Sequence, residues 1–186
     1  DILQTTHRQN QRLIQLVTDL LLLARLDRQP VPMSQQLCCL NDIISDLIEE
    51  LTAFAQSAEI ELISRVMLTY PLTIIGNEDQ LYRLISNLIV NAIKYTSTGG
   101  KVEVILDRHD HHAVIQIIDT GIGIAPQEQQ RIFDRFYRVD SDRSRDTGGS
   151  GLGLPIAAAI VKAHKGSLQV QSELGKGSIF TVQLAL

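Results

Sequence analysis

The chain has 186 residues, 44% of them hydrophobic, and a net charge of -4. That length suits one ordinary domain with an appendage, and that apolar share can fill a core, which excludes a disordered chain. An acidic balance speaks against a nucleic-acid partner, and the longest apolar run, Leu20 to Ala24, falls far short of the ~20 residues that cross a bilayer. No secretory leader is recognisable at the start, and the adjacent Cys38 and Cys39 suit reduced thiols better than a disulfide framework, so a cytoplasmic setting is expected, with no membrane contact by these residues and a membrane tether elsewhere in the protein left open.

Residues 1–28 read as one long helix whose apolar stripe runs through Leu13, Leu16, Val17, Leu20, Leu23 and Ala24, with Arg8, Arg12, Gln15 and Asp19 off it. So narrow a stripe wants a partner helix, which implies a hairpin or bundle. Pro30 and Pro32 end the helix and mark a boundary between residues 1–29 and a second unit, 30–186. Gln35 to Leu40 reads as a strand, and Asn41 as the cap of a helix over 42–57 that buries Ile43, Ile44, Leu47, Ile48, Leu51 and Phe54. Strands follow at 60–67 and 72–75, and Gly76-Asn77 then turns the chain into a helix with Glu78 and Asp79 in its first turn. A hairpin is predicted over 101–106 and 113–118, with His109, His111 and His112 in a solvated turn rather than a metal site. A short helix at 127–136 leads to a polar, glycine-bearing stretch, 137–150, expected to be a mobile loop. A helix over 154–164, ended by Gly166, precedes closing strands at 168–172 and 178–184. Strands and helices mixed without strict alternation point to a two-layer α/β sandwich of the α+β kind.

The helix after Asn77 holds an unusual stretch, Asn87-Leu88-Ile89-Val90-Asn91-Ala92-Ile93-Lys94-Tyr95. Leu81, Leu84, Ile85, Leu88 and Ala92 give it a buried face, yet Asn87 and Asn91 project together from one side, extended by Lys94 and Tyr95. A buried amide without partners costs roughly 1 to 3 kcal/mol, so the pair either meets a bound anion with its cation or ties the helix to nearby backbone. Three further clusters follow in order: Asp119-Thr120-Gly121-Ile122-Gly123-Ile124, then Phe133 to Arg138, then Gly149-Ser150-Gly151-Leu152-Gly153-Leu154. Gly175-Lys176-Gly177-Ser178 closes the series. In that order and spacing the sequence resembles the sensor histidine kinases over nearly its whole length. The resemblance implies the Bergerat ATP-binding fold, with residues 1–29 as the second helix of a dimerisation and phosphotransfer hairpin.

A nucleotide needs recognition of its base, a cation for its phosphates and backbone donors for the remaining charge. Asp119 can accept a hydrogen bond from adenine's exocyclic amine, though Asp119-Thr120-Gly121 could also be only a turn. Asn91 can offer its amide oxygen to Mg²⁺, Lys94 can balance phosphate charge and Tyr95 can line the base or ribose. Gly149, Gly151 and Gly153 stand just before a helix, whose amides and dipole face anions. The resemblance adds Asn87, Gly121, Gly123, Arg138, Leu152, Leu154 and Ser178 as nucleotide-binding positions, Arg138 as a candidate for steadying the terminal phosphate. Phe133 and Phe136 read as packing anchors.

Neither a dinucleotide fold nor a P-loop fits, because a polar loop rather than a strand precedes Gly149, and Gly175-Lys176-Gly177 lacks the P-loop spacing. ATP-hydrolysing relatives of this fold carry a glutamate four residues before the metal-binding asparagine. Here Asn87 stands there, and an amide cannot take a proton from water. The resemblance therefore implies transfer of the γ-phosphoryl group to a histidine upstream of Asp1, relay to a response regulator, and homodimerisation through the hairpin. His7 is not expected to be the acceptor, since Arg8 and Gln9 follow it rather than an acid. A regulatory module that binds nucleotide without catalysis is the competing reading, and a serine kinase of the anti-sigma type is disfavoured by Asn87.

Overall fold

The computed structural model describes residues 2–28, 36–139 and 150–186. Helix α1 (Ile2–Arg28) precedes strand β1 (Gln36–Cys39), helix α2 (Leu40–Ser57), strands β2 (Glu61–Val66) and β3 (Thr73–Gly76), and helix α3 (Glu78–Tyr95). The long hairpin β4 (Lys101–His109) and β5 (His112–Asp119) comes next, followed by a 3₁₀ turn (Arg131–Phe133), helix α4 (Gly153–Ala163), and strands β6 (Ser167–Glu173) and β7 (Gly177–Ala185). A five-stranded sheet in the order β2-β4-β5-β7-β6 forms one layer, and a two-stranded sheet pairs β1 with β3. Only β2 and β4 run parallel in the large sheet, because α3 returns the chain between them; hairpins join β4 to β5 and β6 to β7, and β5 pairs antiparallel with β7 across the intervening α4 and β6. Helices α2, α3 and α4 form the second layer, and the expected two-layer sandwich is what the chain adopts. No described helix is long and apolar enough to cross a membrane.

Two-residue periodicity fixes which side chains reach the helices. On β5, Ala113, Ile115 and Ile117 point into the core, and Asp119 is next in the same parity. On β7, Phe180, Val182 and Leu184 do the same, preceded in parity by Ser178. Asp119 and Ser178 are register partners, so the alternation that builds the core sets two polar residues side by side at its edge. Across the layer, α3 buries Leu81, Leu84, Ile85, Leu88, Ile89, Ala92 and Ile93. Asn77 caps α3, its Oδ1 accepting from the Gln80 N–H at 2.9 Å.

Several expectations are corrected. Helix α2 begins at Leu40 with no side-chain cap, and Asn41 instead accepts the Leu72 N–H at 2.8 Å, tying α2 to the approach to β3. Phe54 is exposed, and Ala55 fills the buried face in its place. The hairpin is longer than its polar tip suggested: His109 and His112 are opposed strand residues, leaving Asp110 and His111 as the turn. No α-helix forms over 127–136, since Gln129 Nε2 donates to the Ile124 and Ser172 carbonyls and holds the segment in turns against β6. Helix α4 ends on Lys165 in the left-handed region (φ 56°), while Gly166 serves close packing, because a Cβ there would meet the Gln183 carbonyl oxygen at 2.3 Å. Phe133 packs on the core as expected, but Phe136 is exposed with a φ of 64°.

The stripe on α1 proves to be two faces. Leu16, Leu23 and Leu26 turn inward together with Asp19, which the sequence had placed off the stripe, and α1 packs beside α4. Leu13, Val17 and Leu20 face outward with Ile14 and Leu21.

Candidate functional site

Between α3 and the ends of β5 and β7 lies a cavity of about 850 Å³, within the range of small-molecule sites. Half-buried positions of α3 and the exposed residues at its C-terminal end supply one wall. Asn87, Asn91 and Lys94 recur at three- and four-residue steps, flanked by Val90, and Tyr95 ends the row. Asp119 stands in the facing wall with Ser178 and Phe180, and the N-terminal residues of α4, Gly153 to Pro155, make a third side.

Asp119 is only 6% exposed, and burial pushes its carboxyl above the ordinary carboxylate range. Its Oδ1 accepts the backbone N–H of Gly121 at 2.9 Å and of Ser178 at 3.2 Å, which offset part of that cost and fix the carboxylate's direction. Glycines make this approach possible. A Cβ on Gly121 would lie 2.3 Å from the Tyr95 carbonyl oxygen, and one on Gly177, whose φ is 104°, would lie 1.9 Å from the Asp119 carbonyl oxygen. The Tyr95 carbonyl also accepts the Ile122 N–H at 3.1 Å, so the end of α3 and the turn after Asp119 are bonded as one unit.

The opposite part of the cavity is built for negative charge. Among the described residues no side chain caps α4, whose first residue, Gly153, would bring a Cβ no closer than 3.7 Å to Asn87 Oδ1. An uncapped helix start presents N–H groups and a positive dipole end to whatever fills that gap. Among the described residues Asn87 Nδ2 is buried without a hydrogen-bond partner, a donor that a ligand in the cavity would satisfy. Among the described residues no group of His, Cys, Asp or Glu could hold a metal ion unaided. The cavity wall also carries the amide oxygens of Asn87 and Asn91, which suit a hard cation that brings its other ligands with it.

Of the positions expected from sequence, Asn87, Asn91, Lys94, Tyr95, Asp119, Gly123, Arg138, Gly151, Gly153, Leu154 and Ser178 line this one cavity. Two do not. Leu152 is fully buried in the core as the residue preceding α4, and Gly121 sits behind Asp119 against Tyr95. Gly149 and the polar stretch 140–149 lie outside the described residues. On either side of that stretch, the Phe136 N–H donates to the Gly151 carbonyl at 3.0 Å, and Arg131 covers the ring of Tyr137 at 4.3 Å. The sequence reading missed Phe180, Ile122 and Tyr137. It also missed the outer wall, where Arg83 meets Asp19 of α1, which Gln15 holds in turn. Phe180 was legible in strand parity, but nothing local in the sequence places α1 there.

Residues 76–186 match the family described as histidine kinase-, DNA gyrase B-, and HSP90-like ATPase. A sensor histidine kinase, RppB of Synechocystis sp., is 55% identical over 185 residues, covering 100% of this chain and 40% of that protein. The sensor protein SrrB of Staphylococcus aureus is 34% identical over 178 residues, 95% of this chain and 30% of its own length. The chain thus spans less than half of these curated relatives. Among solved structures, full-length ShkA in complex with AMPPNP superposes with a TM-score of 0.84 at 30% identity, over 97% of this chain and 37% of that one. The mycobacterial sensor histidine kinase MprB gives 0.70 at 31% identity, over 81% of this chain and 97% of that one.

Proposed function

The chain belongs to the histidine kinase-, DNA gyrase B-, and HSP90-like ATPase family, on its sensor histidine kinase side, and from this we propose that it binds Mg-ATP in the α3 cleft and gives the γ-phosphoryl group to a histidine. The observation that carries the reading is Asp119: a buried carboxylate, oriented by two backbone donors, in the wall of a cavity whose other end offers cation and anion partners. Adenine presents an amine to that carboxylate, whereas guanine would present an oxygen and be repelled.

In this reading the Asn91 amide oxygen binds Mg²⁺, and Asn87 beside it finds in the phosphates the partner its Nδ2 lacks. Asn91 would hold the metal, which would supply positive charge against the phosphates. Lys94, Arg138 and the amides of Gly151, Gly153 and Leu154 hold the triphosphate, while Tyr95 lines the base side. Transfer breaks the bond between the γ-phosphorus and the bridging oxygen and forms one to an imidazole nitrogen, with ADP leaving. Asn87 cannot take a proton from water, so hydrolysis lacks a base and the histidine is the better acceptor. His7 is exposed on α1 without an acidic neighbour following it, so the acceptor is assigned to a hairpin histidine outside these residues. The phosphoryl group would pass on to an aspartate of a response regulator, with two copies associating through α1.

Calorimetry with Mg-ATP tests the first half: micromolar binding is expected, and no heat at millimolar nucleotide would end the proposal. For the second half, the chain is mixed with γ-labelled ATP and a separately supplied histidine hairpin. Label on the hairpin's histidine is expected, and nucleotide binding without label would instead support a regulatory module lacking catalysis.

A further inference from the structure

The α3 face toward the cavity does not stop at Asn87. Arg83 lies one further turn toward the helix start, in the same row as Asn87 and Asn91, and it lines the same cavity. Because the turn after Asp119 is bonded to Tyr95, the base end of the site lies at that end of α3. At 1.5 Å per residue, Arg83 is then about 18 Å away along the helix, where the outermost phosphate of an extended nucleotide would reach.

Arg83 is held by an anion of this chain. Its Nη2 pairs with Asp19 Oδ1 of α1, and that oxygen also accepts Gln15 Nε2 at 2.8 Å. The pair is sheltered, the Asp19 side chain 8% and the Arg83 side chain 27% exposed. A guanidinium has five N–H donors in a planar fork suited to phosphate, and this contact uses one nitrogen. Asp19 is itself in the cavity wall, so a carboxylate stands where an arriving phosphate would be repelled unless one of the two anions gives way. Gln15 gives Asp19 a partner to keep when Arg83 leaves.

We propose that Arg83 is a ligand for the terminal phosphate of a nucleoside triphosphate, and that the Asp19–Arg83 pair is a latch through which α1 competes with that phosphate. The proposal rests on the reading of the cleft as an Mg-ATP site. It makes α1 a sensor of whether the nucleotide carries its last phosphate: a diphosphate falls short of Arg83 and leaves the latch shut, whereas a triphosphate draws Arg83 away. A further pair among the described residues, Arg135 with Asp27, is on the exposed rim and does not line the cavity, so an arriving phosphate leaves it alone.

The test compares Mg-ATP with Mg-ADP by calorimetry on the chain and on Arg83→Gln, Asp19→Asn and the double variant. Arg83→Gln should weaken ATP by about tenfold or more, the worth of one charge-assisted hydrogen bond, and leave ADP within about twofold. Asp19→Asn should tighten ATP several-fold and not ADP, and the double variant should follow Arg83→Gln. Should the glutamine variant fail to fold, Arg83→Lys, which keeps the charge and loses the fork, should show the same selective loss to a smaller degree. Equal effects on both nucleotides, or none, would overturn the latch and leave the pair a structural tie. Failure of the parent chain to bind either nucleotide would instead remove the underlying site.

Discussion

Asp119 is kept where a charge is unwelcome. A carboxyl whose value burial raises contributes stability that is present below its unfolded value and lost as pH climbs through its folded one, so at neutral pH its ionised form works against the fold. Asp119→Asn should therefore hold or raise the melting temperature while lowering affinity for Mg-ATP by at least about tenfold. A fall in both, measured by calorimetry, would make the residue structural. The glycine behind it is the reverse case. Gly177→Ala must place a Cβ 1.9 Å from the Asp119 carbonyl oxygen at a φ of 104°, which should cost about 1–3 kcal/mol in denaturant unfolding and disturb nucleotide binding indirectly. At this scale the sequence pointed to side chains that the fold gathers around one cavity, because polar residues interrupted apolar periodicity. It could not show that Gly121 and Gly177 serve the carboxylate's approach, since that depends on which carbonyl lies opposite.

Helices α3 and α4 meet end to end through one imidazole. His164 closes α4 with Nδ1 at 2.9 Å from the Ile160 carbonyl, and its Nε2 accepts the Asn77 N–H at 3.3 Å, at the cap of the helix that bears Asn87 and Asn91. Accepting at Nε2 requires the neutral ring, and burial lowers its value below the ordinary 6.5. Among the described residues no ion pair reaches it, neither from Lys162 and Lys165 on its own side nor from Glu78 and Asp79 on α3. The sign follows: stability present above the unfolded value is lost as pH falls through the folded one. The urea midpoint should drop between about pH 7.5 and about pH 5.5, and His164→Gln should flatten that slope. Elements with long unbroken periodicity, α2, α3, β5 and β7, were legible in kind, and where bounds were expected they lie within two residues of those observed. The segment 127–136 was not, because a glutamine bridging to Ser172 overrode a good local helix propensity. Asn41 misled for a similar reason, its amide being used across the chain by Leu72 rather than within its own helix.

For the molecule as a whole, the two apolar faces of α1 divide its work between docking inward and offering Leu13, Ile14, Val17, Leu20 and Leu21 outward, each at least 40% exposed. Such a face on a single helix favours association with another helix. Sedimentation should show self-association that Val17→Glu with Leu20→Glu abolishes while Mg-ATP affinity stays within about twofold. A sequence stripe could announce that a partner exists but not that one edge of it was already taken by the chain's own second layer. The bond from Phe136 to Gly151 has a different kind of consequence. It joins the two banks of the stretch between them, like a drawstring, so the chain inside can vary in circumference without shifting either bank. Doubling its length would add only about 0.6 kcal/mol of closure entropy. Residues inserted there should therefore leave this bond, and the cavity walls on either side of it, as they are.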